Sequence, residues 1–365
     1  MDPDGSTTAA DLAVIASVNP AQAWSHIREL LAGPDRGKAL TNLPWQELGP
    51  LLAGHDPGGA IDLGLELPTG QAAHVLCVEG FRRLAAVNGP EAWTRLAALG
   101  PGQLYADSVT ALLEAWATTS PAAAAQAALS VNDLPPGALS ALSGVWGSRD
   151  FADAFTWAGH LPEAQRMDCL IEAVRATLNT AASAENLPAV TERLTGIEDA
   201  AARQQLLKVA AMEVSLASPS TAMEWAAMLP AVERAAIEWE VISHISSLNI
   251  ELAAEHAASM IKEEETSEAA RQGIATVAKY YAAQDAASAA EWCHRLPAGS
   301  IRLEAAQTAL ETWVQQDAAS ASGWVANLPK GDMRRMGAQL IAEAVASSDQ
   351  DAALAWQAEA DPTAE

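Results

Sequence analysis

The chain has 365 residues, half of them hydrophobic, and 46 acidic against 21 basic side chains give a formal net charge of −25. That length exceeds what one ordinary hydrophobic core serves, and so acidic a surface repels phosphate backbones and anionic lipid, which argues against nucleic-acid and membrane-surface roles. Alanine dominates the apolar set, with 12 Trp but only 3 Phe and 3 Tyr, so helix formers abound and strand formers are scarce.

Three cysteines, Cys77, Cys169 and Cys293, lie far apart with no C-x-x-C pair. That argues against a disulfide framework and a zinc site and predicts small buried hydrophobes. No apolar run reaches the roughly 18 residues of a membrane helix. The first twenty residues carry no Lys or Arg, so no secretory n-region is read. As written, the protein is expected to be soluble and cytoplasmic, or periplasmic or secreted if a leader precedes it.

In chain order, residues 1–7 are expected to be disordered. Thr8 to Val18 predicts a lone helix with Leu12, Ile15 and Val18 on one side. From there a unit recurs. Its anchors are Asn19, Asp56, Asn88, Ser120, Asp150, Asn186, Ser218, Asn249, Asp285, Asp317 and Asp349, spaced 30 to 37 residues apart and about 33 on average. All eleven belong to the set whose side chains cap helix N-termini. Proline follows directly at Asn19, Asp56, Ser120 and Ser218, where its fixed φ suits a first helical residue.

Each unit reads as two helices. The first runs from the cap to a Leu-Pro pair. A weak copy spans Asp56 to Pro68, with Leu63 where others have Trp. Clearer copies are Asp150 to Pro162, Ser218 to Pro230, Asp285 to Pro297 and Asp317 to Pro329. In one copy Ala289, Trp292, Cys293 and Leu296 form the apolar stripe, and proline ends the helix because it pushes its predecessor out of the α region. The second helix follows, with stripes such as Leu104, Val109, Leu112, Leu113 and Trp116, or Ile301, Ala305, Ala309, Leu310, Trp313 and Val314. The run Lys262 to Thr266 reads as a solvated loop or helix end. Asp349 to about Ala360 predicts a lone first helix, and residues 361–365 a disordered tail.

Trp157, Trp225, Trp292, Trp324 and Trp356 all fall seven residues after their anchors. Their neighbours are apolar, so the rings are expected to pack between consecutive hairpins rather than form an exposed ladder for sugars or bases. The predicted fold is all-α: one α-solenoid domain over residues 8–360, about ten helix-turn-helix repeats of roughly 32–37 residues, with half-repeat helices at both ends.

Proline one residue and tryptophan seven after the anchor resemble the tetratricopeptide repeat. The Leu-Gly pair and following Tyr of that family are absent, and Leu-Pro closes the first helix instead. The frame more closely resembles the D-P-x-A-A-x-x-W-x-x-x-L-P helical repeats of uncharacterised bacterial proteins, from Asn19 to Trp356. That resemblance implies an α-solenoid and brings no catalytic residues.

No H-E-x-x-H, G-x-S-x-G, P-loop or G-x-G-x-x-G pattern occurs. His26 and His256 stand seven after their anchors and read as core substitutions, while His160 and His294 read as solvent-facing. No catalytic, metal or cofactor residue is assigned. Off the packed stripe of the first helices, Thr156, Glu224, Glu255, Glu291, Arg295 and Asn327 are candidates to line a partner groove. The expected function is a non-catalytic scaffold for a protein or peptide, a basic one suiting the charge. The alternatives are an assembly protein that self-associates through its half-repeat ends and an α/α-toroid enzyme with clustered acids in a central pocket.

Overall fold

The computed structural model describes residues 9–34, 37, 41–131, 134–261 and 268–361. Lys262 to Thr266 and the expected disordered ends, apart from Asp361, lie outside them. Among the described residues the protein is all-helical, without strands, and no helix is long and apolar enough to cross a membrane.

The chain divides into two compact units, Met1–Thr180 and Ala181–Glu365. The first holds α1 (Ala9–Val18), α2 (Pro20–Ala32), α3 (Trp45–His55), α4 (Pro57–Glu66), α5 (Gln71–Leu96), α6 (Gln103–Ala117), α7 (Pro121–Leu129), α8 (Ala138–Gly147), α9 (Phe151–Gly159) and α10 (Glu163–Leu178). The second holds α11 (Ser183–Thr195), α12 (Ala200–Ala217), α13 (Pro219–Met228), α14 (Ala231–Ser246), α15 (Ile250–Ser259), α16 (Glu268–Gln284), α17 (Ala286–Arg295), α18 (Ser300–Asn327), α19 (Asp332–Val345) and α20 (Gln350–Ala360). Within each unit the principal contacts join helices close in chain order. Helices α5 and α18 are each broken by one non-helical residue, Asn88 and Asp317.

Nine of the eleven anchors cap a helix through their side chains. The shortest such bond is 2.8 Å, from the Gly59 N–H to Asp56, and the longest is 3.3 Å. Most also close the helix before. The N–H groups of Asp56, Asp150, Asn249 and Asp285 donate to Leu52, Trp146, Ile245 and Tyr281. One extended residue therefore ends one helix and starts the next, which fixes a sharp turn without a loop. Ser120 occupies the cap position without a side-chain bond. Asn186 is different: α11 begins at Ser183, so Asn186 lies inside it, with Pro188 still in the first turn and a half.

The opposite end of the hairpin is set by Leu-Pro. Leu67, Leu229, Leu296 and Leu328 turn to extended backbone and stay buried. The carbonyls that the helix end leaves free are met by arginines of the following helix: Arg166 donates to Leu161, Arg234 to Leu229 and Arg334 to Leu328. Gly299 and Gly331, two residues after proline, adopt φ of +145° and +153°, a region open chiefly to glycine.

The predicted stripes are buried with few exceptions. Ala289, Trp292, Cys293 and Leu296 are all core. In α1 Leu12 is buried beside Ala16, but Val18 is exposed, because the buried stripe follows the four-residue row and leaves Val18 on the water side.

Candidate functional site

The first helices of neighbouring hairpins leave grooves between them. In the second unit α11 and α13 flank a cavity of about 550 Å³. Leu187 and Trp225 form its floor and are buried. Pro188, Met228 and Pro230 form its walls, and Met228 is largely exposed. Glu192 and Glu224 stand exposed at its rim.

The polar atoms of this groove are already used. The Trp225 Nε1–H donates to Thr191 Oγ1 at 2.8 Å, and Thr191 Oγ1 donates to the Leu187 carbonyl at 2.7 Å. Thr195 donates to the Thr191 carbonyl and Thr221 to Ser218 Oγ. The floor is therefore apolar in effect, because each hydroxyl has spent its proton on its own helix. The rim carries charge of one sign only.

A second groove of about 430 Å³ lies between α15 and α17. Here the Trp292 Nε1–H donates to the Ala254 carbonyl at 3.0 Å. Thr191 and Ala254 each stand five residues after their anchors, and Trp225 and Trp292 each seven after theirs. The same indole thus reaches the same place on the preceding first helix, using a hydroxyl where one exists and a carbonyl where it does not. Tyr281 packs 6.3 Å from Trp292, and Glu251, Glu255 and Arg295 complete the lining. In the first unit a cavity of about 490 Å³ between α2 and α4 repeats the arrangement, with Leu63 in place of the tryptophan and Arg28, Asp62 and Glu66 as its charges.

Glu224 lines the first of these grooves, and Glu255 and Arg295 the second. Thr156, Glu291 and Asn327 are exposed but line none of the three. Thr156 and Asn327 are turned onto their own helices, donating to Ala152 and Gly323. The five register tryptophans divide. Trp225 and Trp292 are buried, whereas Trp157, Trp324 and Trp356 are half-buried. Where another Trp stands four residues before the anchor, the two rings pair, Trp146 with Trp157 at 5.6 Å and Trp313 with Trp324 at 6.1 Å, and the second ring stays partly open. His26 and His256 are half-buried rather than core, His160 is exposed, and His294 is half-buried with its ring edge-on to Trp324.

Thr191, Glu192, Met228 and Tyr281 were not legible as lining residues. Thr191 and Glu192 had an audible signal, since they stand five and six after an anchor, but only contact with a helix over thirty residues away makes those places special.

Burial pushes the thiols up, to about 11 at Cys77 and about 12 at Cys169 and Cys293, which keeps them protonated and weakly nucleophilic at neutral pH. The Glu240 carboxyl is held down at about 2 by hydrogen bonds from His244 and Lys208 against the opposing effect of burial. This cluster joins α12 to α14 and lines none of the three grooves. Among the described residues no group of three or more His, Cys, Asp and Glu is placed to hold a metal.

The chain matches no family model, no curated protein and no solved structure.

Proposed function

We propose that the chain is a non-catalytic scaffold, an α-solenoid of about ten helical hairpins whose first helices bind a protein or peptide in the grooves between them. The observation that carries this reading is the recurrence of one groove. Trp225 and Trp292 pin adjacent first helices at equal register, and each has an open cavity beside it. A surface built this way offers repeated, similar pockets along a line, which suits an elongated ligand better than a small one.

The pattern of ion pairs supports the array. His74 meets Asp107, Arg95 meets Asp62 and Arg271 meets Glu304, each 33 residues apart, and Arg203 meets Glu233 at 30. Pairs one period apart are what stacked, similar hairpins produce. The resemblance to D-P-x-A-A-x-x-W-x-x-x-L-P repeats points the same way. The excess of acid favours a basic partner.

Selection of displayed random peptides on the whole chain tests the reading, with binding sites mapped by crosslinking. Enriched peptides should crosslink to α11, α13, α15 and α17. They should bind several-fold more weakly to the Glu224→Ala/Glu255→Ala/Glu291→Ala variant. No enrichment, or crosslinks confined to the second helices, would reject a groove-binding scaffold.

A further inference from the structure

We infer that the groove at Trp225 takes an extended peptide segment in which one apolar side chain is flanked on the same face by Lys or Arg. This deepens the scaffold reading and rests on it. The Trp225 indole N–H and the hydroxyls of Thr191, Thr195 and Thr221 are already bonded inside the protein. The floor therefore has no free donor with which to read a polar ligand, and its contribution is burial of apolar surface over Leu187, Trp225 and Met228. Methionine in that wall adapts to side chains of different shape.

Polar selectivity is left to the rim, and the rim is anionic on both sides. Glu192 belongs to α11 and Glu224 to α13. No Lys, Arg or His lines this groove, and among the described residues neither carboxylate has an ion-pair partner. Two unpaired carboxylates facing one apolar trough are complementary to cations on both flanks of an apolar group. Lysine and arginine also lay their aliphatic stems along apolar walls while the charged head stays in water.

Geometry sets the spacing. Trp225 bridges α11 and α13 through its bond to Thr191, so the two rims stand a large side chain apart. In an extended chain the side chains alternate, so positions i and i±2 share a face, and residues two apart are separated by about 6.6 Å. Cations two positions either side of an apolar residue span about 13 Å, enough to reach over both helices. The sequence class is therefore Lys/Arg-x-apolar-x-Lys/Arg. The groove at Trp292 is expected to be less selective for charge, because Arg295 stands among its carboxylates.

The test uses the full chain and fluorescein-labelled pentapeptides followed by anisotropy. Lys-Ser-Leu-Ser-Lys should bind. Glu-Ser-Leu-Ser-Glu and Lys-Ser-Ser-Ser-Lys should bind at least tenfold more weakly, and added salt should weaken the first peptide. Glu192→Gln/Glu224→Gln should weaken it about tenfold, as loss of two rim pairs allows. Met228→Gln should weaken it about threefold. These three side chains are exposed, so circular dichroism should report an unchanged fold. Equal binding of the acidic peptide, or of the double variant, would overturn the inference. So would a dimer in sedimentation that Met228→Gln disperses, since a second copy would then occupy the groove. If display selection yields binders while these pentapeptides do not bind, the scaffold survives and this assignment fails. If neither binds, the scaffold reading fails first.

Discussion

Trp292 and Trp324 stand at equivalent places in their hairpins, yet they leave water to different degrees. Trp292 is 5 % exposed and donates its indole hydrogen to Ala254. Trp324 is half-buried, tilted against Trp313 and edge-on to His294. Cutting a buried ring to a methyl leaves a cavity and removes the bond to Ala254, so Trp292→Ala is expected to cost about 3–5 kcal/mol. Trp324→Ala removes less buried surface and should cost about 1–3 kcal/mol. Urea unfolding of both variants checks the order. Equal losses would mean that exposure does not track the packing of these rings. The sequence placed both indoles in one phase but could not grade them, because grading depends on how closely the helices beside each ring pack over it.

Helix packing gives two glycines opposite values. In α16, Gly273 is buried, and a Cβ there would overlap the Trp239 ring of α14. In the second half of α18, Gly323 is exposed with nothing near its missing Cβ. Alanine is a better helix former than glycine by about 1 kcal/mol. Gly323→Ala should therefore raise stability by roughly that amount. Gly273→Ala should lower it by about 1–3 kcal/mol, as overpacking outweighs propensity. Thermal unfolding decides it, and a rise in both would show that α14 and α16 yield easily. Caps, by contrast, needed no tertiary information. Nine anchors behave as their residue types require, because the bond that an Asp, Asn or Ser side chain accepts from the next turn is local. Ser120 keeps the cap position without the bond, and Asn186 departs from it altogether. Ser183 is buried, and the helix gains a turn by starting there.

At the scale of the whole molecule, charges about 33 residues apart tie equivalent helices of successive hairpins together. Glu240 is a rung of this kind. It accepts from His244 on its own helix at 3.5 Å and from Lys208 on α12 at 3.0 Å. Its folded pKa, about 2, lies below the usual 4.5. The stabilisation is then fully present above about pH 4.5 and is lost as pH falls through 4.5 towards 2. Allowing for partial exposure, Glu240→Gln should cost about 1–2 kcal/mol at pH 7. The gap between variant and wild type should close near pH 2. Urea titrations across that range measure it, and a gap that persists in acid would assign the loss to packing instead of charge.

What the sequence determined by itself was local: helical class, the break at each cap, the Leu-Pro turn and the phase of the tryptophans. Those features are written in residues within one or two turns of each other, where capping, proline sterics and periodicity act without help. The tertiary structure decided which rings are buried, how the chain divides into two compact units, and where the grooves open. A groove is the space left between two helices over thirty residues apart, so its floor, its rim and its unpaired carboxylates exist only once those helices have packed.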